Sequence, residues 1–152
     1  TFDAIYSIGV LHHTPSTKEA FLALPSLLKP AGLIAIWVYV WAGEYSKRLD
    51  RVRSLTVGIP ERLLYGLCWV CVPLLHVLAW VPLLGRVTQY VPTSNQQRGL
   101  AWDVMDTFDA YSPRYQWKHT EPEVMGWFKE AKLDEVLALS FPVSVRGRRP
   151  AA

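Results

Sequence analysis

The sequence predicts a mixed α/β fold, and three observations support this prediction. A short apolar run, residues 2–10, is followed by a helical pattern and then by a second apolar run, residues 33–40. A further helix and two short strands are indicated towards the C-terminus. Apolar runs of this length, bounded by turn residues, are typical of buried strands in a parallel sheet. Strand, helix and strand in such close succession indicate a βαβ unit.

The helix between the two runs is predicted from its first turn. Ser16 and Glu19 have the spacing of a capping box, and apolar residues then recur at helical intervals. Pro25 interrupts the pattern and is expected to kink or divide the helix. Residues 29–32 read as a helix stop and turn, which places the start of the second strand at Leu33.

The C-terminal third is predicted in the same way. Thr120 and Glu123 form a second capping box, with Pro122 in the first turn of the helix that they begin. Two strands are expected after this helix, at residues 134–141 and 143–145. The carboxyl ends of parallel strands are where such sheets bind ligands, so chemistry is expected just after residue 8 and just after residue 39.

The middle of the chain differs in composition. Residues 45–56 predict a basic amphipathic helix, and residues 87–99 are polar and rich in turn residues. Between them, residues 63–85 contain no Asp, Glu, Lys or Arg. This stretch is long enough to span a bilayer, but Pro73 and Pro82 interrupt it. If this stretch crossed a membrane, the strands before and after it would lie on opposite sides and could not share one sheet.

We therefore favour two short apolar helices that form a lid over the active site. The alternatives are a peripheral membrane contact or a homodimer contact through residues 63–85. In the membrane alternative the chain is a membrane-surface-associating module, and a basic cluster would meet anionic lipid. That cluster consists of Lys47, Arg48, Arg51 and Arg53. A third hypothesis is a non-catalytic relic that pairs with another chain.

Composition narrows the class of protein. The chain has 152 residues, which suits one domain, and 51% hydrophobic residues with 19% charged residues exclude disorder. The net charge of +3 is too small to indicate a nucleic-acid partner. Cys68 and Cys71 form a lone CxxC in an apolar run, which predicts packing and no metal site. We expect a cytoplasmic protein, with membrane association as the alternative.

Three segments together resemble a known family. Residues 2–14, FDAIYSIGVLHHT, resemble the fourth strand and following loop of class I S-adenosylmethionine-dependent methyltransferases, in particular the ubiquinone/menaquinone-biosynthesis-like group. Residues 28–33 resemble that group's LLKPGG turn into strand five, with Ala31 in place of the usual first glycine. Residues 106–115 and 119–124 resemble the downstream segment of a bacterial subgroup.

The resemblance implies a partial Rossmann-like methyltransferase sheet, strands four to seven, with an α-helical apolar insertion after strand five. Residues 1–40 and 119–152 would form the C-terminal half of the methyltransferase α/β domain. Residues 41–118 would form the helical insertion and the substrate-side segment. The family's first strand and GxGxG loop would precede Thr1, so we expect a C-terminal half that is inactive or poorly active alone.

The resemblance also implies S-adenosylmethionine as the cofactor and a small acceptor, which an apolar lid would make lipophilic. It places Ser7, Ile8, Gly9 and His12 at the cofactor. Gly9 would let the backbone approach the methionine part closely, although a bend alone also explains it. His13 and His12 end the strand and are candidates for a general base, with a capping or loop role as the alternative.

A second group of candidates lies near Pro113. Asp109, Tyr111, Arg114 and Tyr115 combine charges and aromatic rings at a proline-fixed turn. Tyr111 is the second catalytic candidate, beside His13. Asp109, Arg114 and Tyr115 are the substrate-binding candidates, since arginine holds anionic groups and tyrosine packs and hydrogen-bonds. The alternative is a structural corner. His119 is expected to be structural.

Overall fold

The computed structural model describes residues 1–81, 85–88, 91, 93 and 99–151. The chain divides into two compact units. The sheet unit consists of Thr1–Trp41 and Tyr115–Ala152, and the helical unit is Ala42–Arg114. The predicted α/β character is confirmed, because a four-stranded sheet and helices are both present.

The elements follow one another along the chain. The sheet unit contains β1 (Phe2–Ile8), α1 (Thr17–Ala23), β2 (Leu28–Trp37), α6 (Glu121–Glu130), β3 (Asp134–Ala138) and β4 (Ser144–Arg148). The helical unit contains α2 (Glu44–Thr56), α3 (Glu61–Ala79), α4 (Gly85–Thr88) and α5 (Leu100–Tyr111). Single 3₁₀ turns cover Leu11–His13 and Pro25–Leu27.

The strands lie in the order β1-β2-β4-β3. β1 and β2 are parallel, with Ile8 opposite Trp37 at their carboxyl ends. β4 runs antiparallel to both β2 and β3. The parallel register brings the loop after β1 and the residues after β2 to the same edge of the sheet.

Both helices of the sheet unit cover the same face of the sheet. The rings of Phe21 from α1 and Phe128 from α6 are 4.6 Å apart. They belong to the buried cluster that includes Ile34 from β2 and Val145 from β4. On the opposite face of β1, Tyr6 and Ile8 are exposed. Side chains alternate along a strand, so one face of this sheet forms the core and the other is open.

The helix caps agree with the sequence. The Ser16 hydroxyl accepts a hydrogen bond from the backbone N–H of Glu19 at 3.3 Å. The backbone N–H of Thr120 donates to the carboxylate of Glu123 at 3.4 Å. Pro25 divides the predicted helix, because α1 ends at Ala23 and a separate 3₁₀ turn begins at the proline.

The predicted turn at residues 29–32 is wrong in one respect, because these residues are already part of β2. The strand pairs from its first residue, with Leu28 opposite Phe2, and a bulge in the β1–β2 pairing takes up the irregularity. Ala31 has a φ of 61°. β2 therefore contains a residue with the left-handed conformation that a turn would need, but the strand pairs with β1 both before and after that residue.

The boundaries of the last two strands also differ from the prediction. β3 ends at Ala138 and β4 begins at Ser144, three residues after Phe141. Glu135 adopts a φ of 50°, and the β3–β4 register shifts between Asp134 and Leu137. Such a bulge depends on pairing with β4, which local sequence does not encode.

The prediction of two short apolar helices is wrong for the described part of residues 63–85. α3 is one helix that continues through Pro73. Its buried side chains Leu64, Cys68 and Val72 recur every four residues, and all three precede the proline. Pro82 and most of the turn-rich residues 87–99 lie outside the described residues.

Two small clusters form the core of the helical unit. Leu49 from α2 packs with Leu64 from α3 and Tyr111 from α5. Cys68 and Val72 pack with Val104 of α5. Of the described residues, α3 alone forms a helix long and apolar enough to cross a membrane. This property depends only on length and composition, and the core helix of a soluble protein can share it.

The left-handed Ala31 provides a test of the strand geometry. The conformation costs a residue with a Cβ about 1–2 kcal/mol, and glycine avoids this at an entropic cost of about 0.5–1 kcal/mol. Ala31→Gly should therefore raise the free energy of unfolding by about 0.5–1 kcal/mol, as measured by urea denaturation. Ala35→Gly, the same change within β2 opposite Tyr6, should lower it by a similar amount. Destabilisation by both changes would contradict the geometry.

Candidate functional site

The carboxyl ends of β1 and β2 form the candidate site. Gly9 follows β1 with a φ of 71°, and its N–H donates to the carbonyl of Trp37 at 3.1 Å. A Cβ on Gly9 would lie 3.0 Å from the Trp37 ring. The positive φ and the ring contact both require glycine here. The bend alone therefore accounts for Gly9, and its role at a cofactor stays a prediction.

His12 is buried beneath this edge, with 0% of its surface exposed. Its ring lies 3.9 Å from that of Tyr39 and 4.2 Å from that of His13, centroid to centroid. Neither ring nitrogen has a hydrogen-bond partner among the described residues. Burial, with smaller contributions from nearby charges, lowers the pKa of His12 to about 3. The ring is therefore neutral at physiological pH and is shielded from a ligand.

His13 is half-buried and has a defined orientation. Its Nδ1 lies 2.9 Å from the backbone carbonyl oxygen of Tyr115. A carbonyl oxygen can only accept, so Nδ1 carries the proton and donates it. In the neutral ring the lone pair is then on Nε2. A histidine whose tautomer is fixed in this way has one nitrogen ready to accept a proton.

Residues 115–119, which we call the strap, hold the two strand ends together. The Trp117 N–H donates to the carbonyl of His12 at 2.9 Å, and its indole N–H donates to the carbonyl of Thr14 at 3.0 Å. The N–H of His119 donates to the carbonyl of Tyr39 at 2.8 Å. The strap lies in the sheet unit. Sequence reasoning did not find it, because each of these bonds joins residues far apart in the chain.

His119 is structural, as expected. Its Nδ1 donates to the carboxylate of Glu123 at 3.0 Å, and the Thr17 hydroxyl lies 2.9 Å from its Nε2. Both nitrogens of this buried ring are satisfied. His119 therefore joins the start of α1 to the start of α6, in contrast to the unpaired nitrogens of His12.

The predicted site residues fall into two groups. Ser7, Ile8, Gly9, His12, His13 and Tyr115 belong to the sheet unit, at or beside the strand ends. Asp109, Tyr111 and Arg114 belong to the helical unit.

The three other residues of the first group each have a definite setting. Ser7 is half-buried opposite Ile36, and Ile8 is exposed on the open face. Tyr115 acts on His13 through its backbone carbonyl, while its ring stacks on that of Trp117. A role in binding substrate or cofactor stays a prediction for these side chains.

In the helical unit, Tyr111 is buried at the end of α5, and its backbone carbonyl accepts a hydrogen bond from Thr56 at 3.0 Å. Burial raises the pKa of Tyr111, so its phenol stays protonated at neutral pH. Asp109 and Arg114 are exposed. Tyr111 could donate a hydrogen bond, but it could not act as a phenolate base at neutral pH.

Arg53 does not belong to a lipid-facing basic cluster, which corrects that part of the membrane alternative. It is buried, and its guanidinium donates to the carbonyl oxygens of Pro113 at 3.0 Å and Arg114 at 3.5 Å. Burial lowers its pKa, and Asp50 partly offsets this. Arg53 thus fixes the segment after α5 to α2.

The cysteines and acidic groups form no metal centre in the described residues, where no cluster of three potential ligands occurs. Cys68 is buried in the core of the helical unit, and burial raises the pKa of its thiol. Cys71 is exposed. Packing therefore explains Cys68, as expected, but not Cys71.

Each unit has a cavity. A cavity of about 430 Å³ in the sheet unit is lined by Pro25, Pro30 and Arg149, at the amino end of β2. Ligands of parallel sheets bind at the opposite ends of the strands, so we do not assign this cavity to the site. The helical unit has an apolar cavity of about 150 Å³, lined in part by Leu64, Cys68 and Tyr111.

Comparison with known proteins shows a similarity over part of the chain. No protein-family model matches the chain. Over 61 residues the chain is 30% identical to the Sterol 24-C-methyltransferase ERG6A of Gibberella zeae. The match covers 40% of this chain and spans 16% of the length of that relative. This similarity suggests a relationship to methyltransferases that extends over part of the chain.

The two buried histidines provide a matched pair of variants. His12→Phe keeps an aromatic ring against Tyr39 and removes two nitrogens without partners, so it should raise the free energy of unfolding by about 1 kcal/mol at pH 7. His119→Phe removes the bonds to Thr17 and Glu123 and should lower it by about 1–3 kcal/mol. Urea denaturation of both variants measures the difference. Equal destabilisation by the two changes would show that His12 has a polar partner.

Acid titration tests His12 independently. An unfolded histidine titrates near pH 6.5, whereas the folded pKa is about 3. Between these values the unfolded chain binds a proton that the folded chain does not, so stability is lost as the pH falls from 6.5 towards 3. The loss should approach about 1.4 kcal/mol per pH unit in this window, and His12→Phe should abolish most of it.

Proposed function

We propose that the protein containing this chain transfers a methyl group from S-adenosylmethionine to a small, lipophilic acceptor. The proposed reaction class rests on the 61-residue similarity to a sterol methyltransferase. The geometry supports it at one place, where the ends of two parallel strands bring an oriented His13 to the edge of the sheet.

The fold supports a more detailed assignment. We propose that β1, β2, β3 and β4 correspond to strands four to seven of a Rossmann-like methyltransferase sheet. The order β1-β2-β4-β3, with parallel β1 and β2, is compatible with this correspondence. Parallel sheets are normally covered on both faces, yet Tyr6 and Ile8 are exposed on one face of β1. We propose that another part of the whole protein covers this face and supplies the glycine-rich cofactor loop.

We propose that the residues present contact one side of S-adenosylmethionine. The main chain of Ser7, Ile8 and Gly9 runs along the edge strand of the described sheet, and its side away from β2 can meet a ligand. The described sheet unit has no glycine-rich loop. The His12 ring is buried beneath this edge, so His12 would support the cofactor site from below rather than touch the cofactor. Bound S-adenosylmethionine would supply an electrophilic methyl carbon, and its sulfur would leave with the bonding electrons as S-adenosylhomocysteine.

His13 is the residue of this chain that we assign to proton transfer. Its Nε2 carries the lone pair, because Nδ1 donates to the carbonyl of Tyr115. An acceptor hydroxyl, amine or carbon acid becomes a better nucleophile when its proton moves to such a nitrogen. The Tyr115 carbonyl then holds the ring in place, and removal of bulk water from the site favours the displacement.

The proposal of a lipophilic acceptor rests on two observations. The similar fungal protein is named for a sterol, and the apolar cavity of the helical unit is lined by aliphatic side chains together with Tyr111. We propose that the helical unit contributes the acceptor pocket and acts as its lid. Asp109, Arg114 and Tyr115 are the proposed polar contacts to the acceptor, and Tyr111 is a proposed hydrogen-bond donor.

The test is a transfer assay with the whole protein. Incubation with methyl-tritiated S-adenosylmethionine and a lipid extract should place the label in the organic phase. His13→Ala should lower kcat by roughly 10²- to 10⁴-fold, and added imidazole should restore part of it. The buried His119→Gln controls for loss of folding and should show no rescue by imidazole.

Three results would each contradict one part of this proposal. Failure of the whole protein to bind S-adenosylmethionine in calorimetry would remove the reaction class. Label confined to water-soluble products would remove the lipophilic acceptor while leaving methyl transfer intact. Full activity of His13→Ala would remove the assignment of the base.

A further inference from the structure

Helix α3 exposes a continuous apolar stripe. The residues of the stripe are spaced three and four apart, so they lie on one side of the helix. They are Leu63, Leu67, Val70, Leu74 and Val77. No Asp, Glu, Lys or Arg occurs between Leu63 and Val81. From Leu63 to the end of the helix, the outward side of α3 therefore has no Asp, Glu, Lys or Arg.

The other side of α3 is already occupied within the helical unit. Leu64, Cys68 and Val72 are buried, and they pack against α5 through Val104 and Phe108. A surface helix of a soluble protein normally pairs one such apolar face with a polar one. α3 is apolar on both, and its outward stripe is uncovered: Val70 is 64% exposed and Leu74 is 54% exposed.

An exposed tryptophan follows the last turn of α3. Trp80 is 88% exposed where the helix ends. Tryptophan and tyrosine are enriched at the boundary between lipid and water, because their rings are apolar and their N–H or O–H groups are polar. At the other end, α3 begins with the charged residues Glu61 and Arg62.

Packing against α5 argues against a transmembrane position for α3. α5 lies along α3, and its Asp106 and Asp109 are exposed. If α3 crossed a bilayer, these carboxylates would be carried into the hydrocarbon beside it, which is costly for ionised groups. A helix that lies in the plane of the membrane surface avoids this, since only its outward stripe enters the lipid.

The size of the stripe argues against a second copy of the chain as its partner. α3 has 19 residues, so it is about 28 Å long at 1.5 Å per residue. A stripe about 10 Å wide on such a helix offers about 300 Å², whereas a standard interface buries about 800 Å² on each partner. A bilayer surface needs neither that area nor a complementary shape.

We propose that the outward stripe of α3 inserts into the surface of a lipid bilayer, with the helix parallel to the membrane plane. This inference rests on the helical unit alone and does not depend on methyl transfer. If both proposals hold, the stripe brings the protein to the phase in which a lipophilic acceptor is dissolved.

The experiment is flotation of the chain with phosphatidylcholine vesicles, with and without phosphatidylserine. The wild-type chain should float with both kinds of vesicle, since apolar burial supplies the binding. Val70→Glu/Leu74→Glu should reduce the bound fraction roughly tenfold or more, because two carboxylates would enter the interface. Both positions are exposed, so circular dichroism should show an unchanged fold.

The matched control carries the same added charge on exposed apolar residues away from α3. Leu55→Glu/Val57→Glu lies at the end of α2, where Leu55 is 78% exposed, and it should float like the wild type. Three results would overturn the proposal: no flotation of the wild type, equal loss in both variants, or flotation that requires phosphatidylserine. Light scattering that shows a dimer broken by Val70→Glu/Leu74→Glu, without vesicle binding, would assign the stripe to a second copy.

Discussion

The parallel pairing of β1 with β2 fixes the positions of the other parts of the sheet unit. With Ile8 opposite Trp37, both chains leave the sheet at the same edge. Gly9 then turns with a positive φ against the Trp37 ring, and the 3₁₀ turn places His12 below Tyr39. A shift of one residue would move each side chain of β1 to the opposite face, so the site depends on this register.

At this edge of the sheet, burial of the His12 ring is energetically unfavourable, whereas hydrogen bonds hold the residues around it in place. Burying both nitrogens of His12 without partners costs free energy that the ring contacts with Tyr39 and His13 must offset. The strap adds hydrogen bonds from Trp117 and His119 across the same strand ends. The turn that carries His13 is therefore held by hydrogen bonds. The orientation of the His13 ring is set by a backbone carbonyl rather than by a mobile side chain.

Local signals predicted much of the fold. Ser16 and Glu19 begin α1, Pro25 ends it, and Thr120 with Glu123 begins α6, because each of these depends on neighbours within one turn. Errors arose where distant pairing decides the conformation. β2 extends back to Leu28 because it pairs with Phe2, and α3 continues through its internal proline, which the local sequence did not predict.

The site was predicted in outline from the same kind of signal. The strand end and its two histidines could be found, because an apolar run that ends in polar residues is a local pattern. Their different roles could not, since His12 is buried against Tyr39 of another strand end and the bond from His13 to Tyr115 joins residues 102 positions apart. Tyr111 and Tyr115 are close in sequence but belong to different units, which spacing alone could not show.

We propose that a methyl donor meets its acceptor at the carboxyl ends of β1 and β2. Hydrogen–deuterium exchange of the whole protein, with and without S-adenosylhomocysteine, is the most direct test. Exchange should slow in peptides that cover residues 7–13, with little change in α6. Ligand binding that leaves residues 7–13 unprotected, or that protects α6 instead, would show that the ligand binds elsewhere.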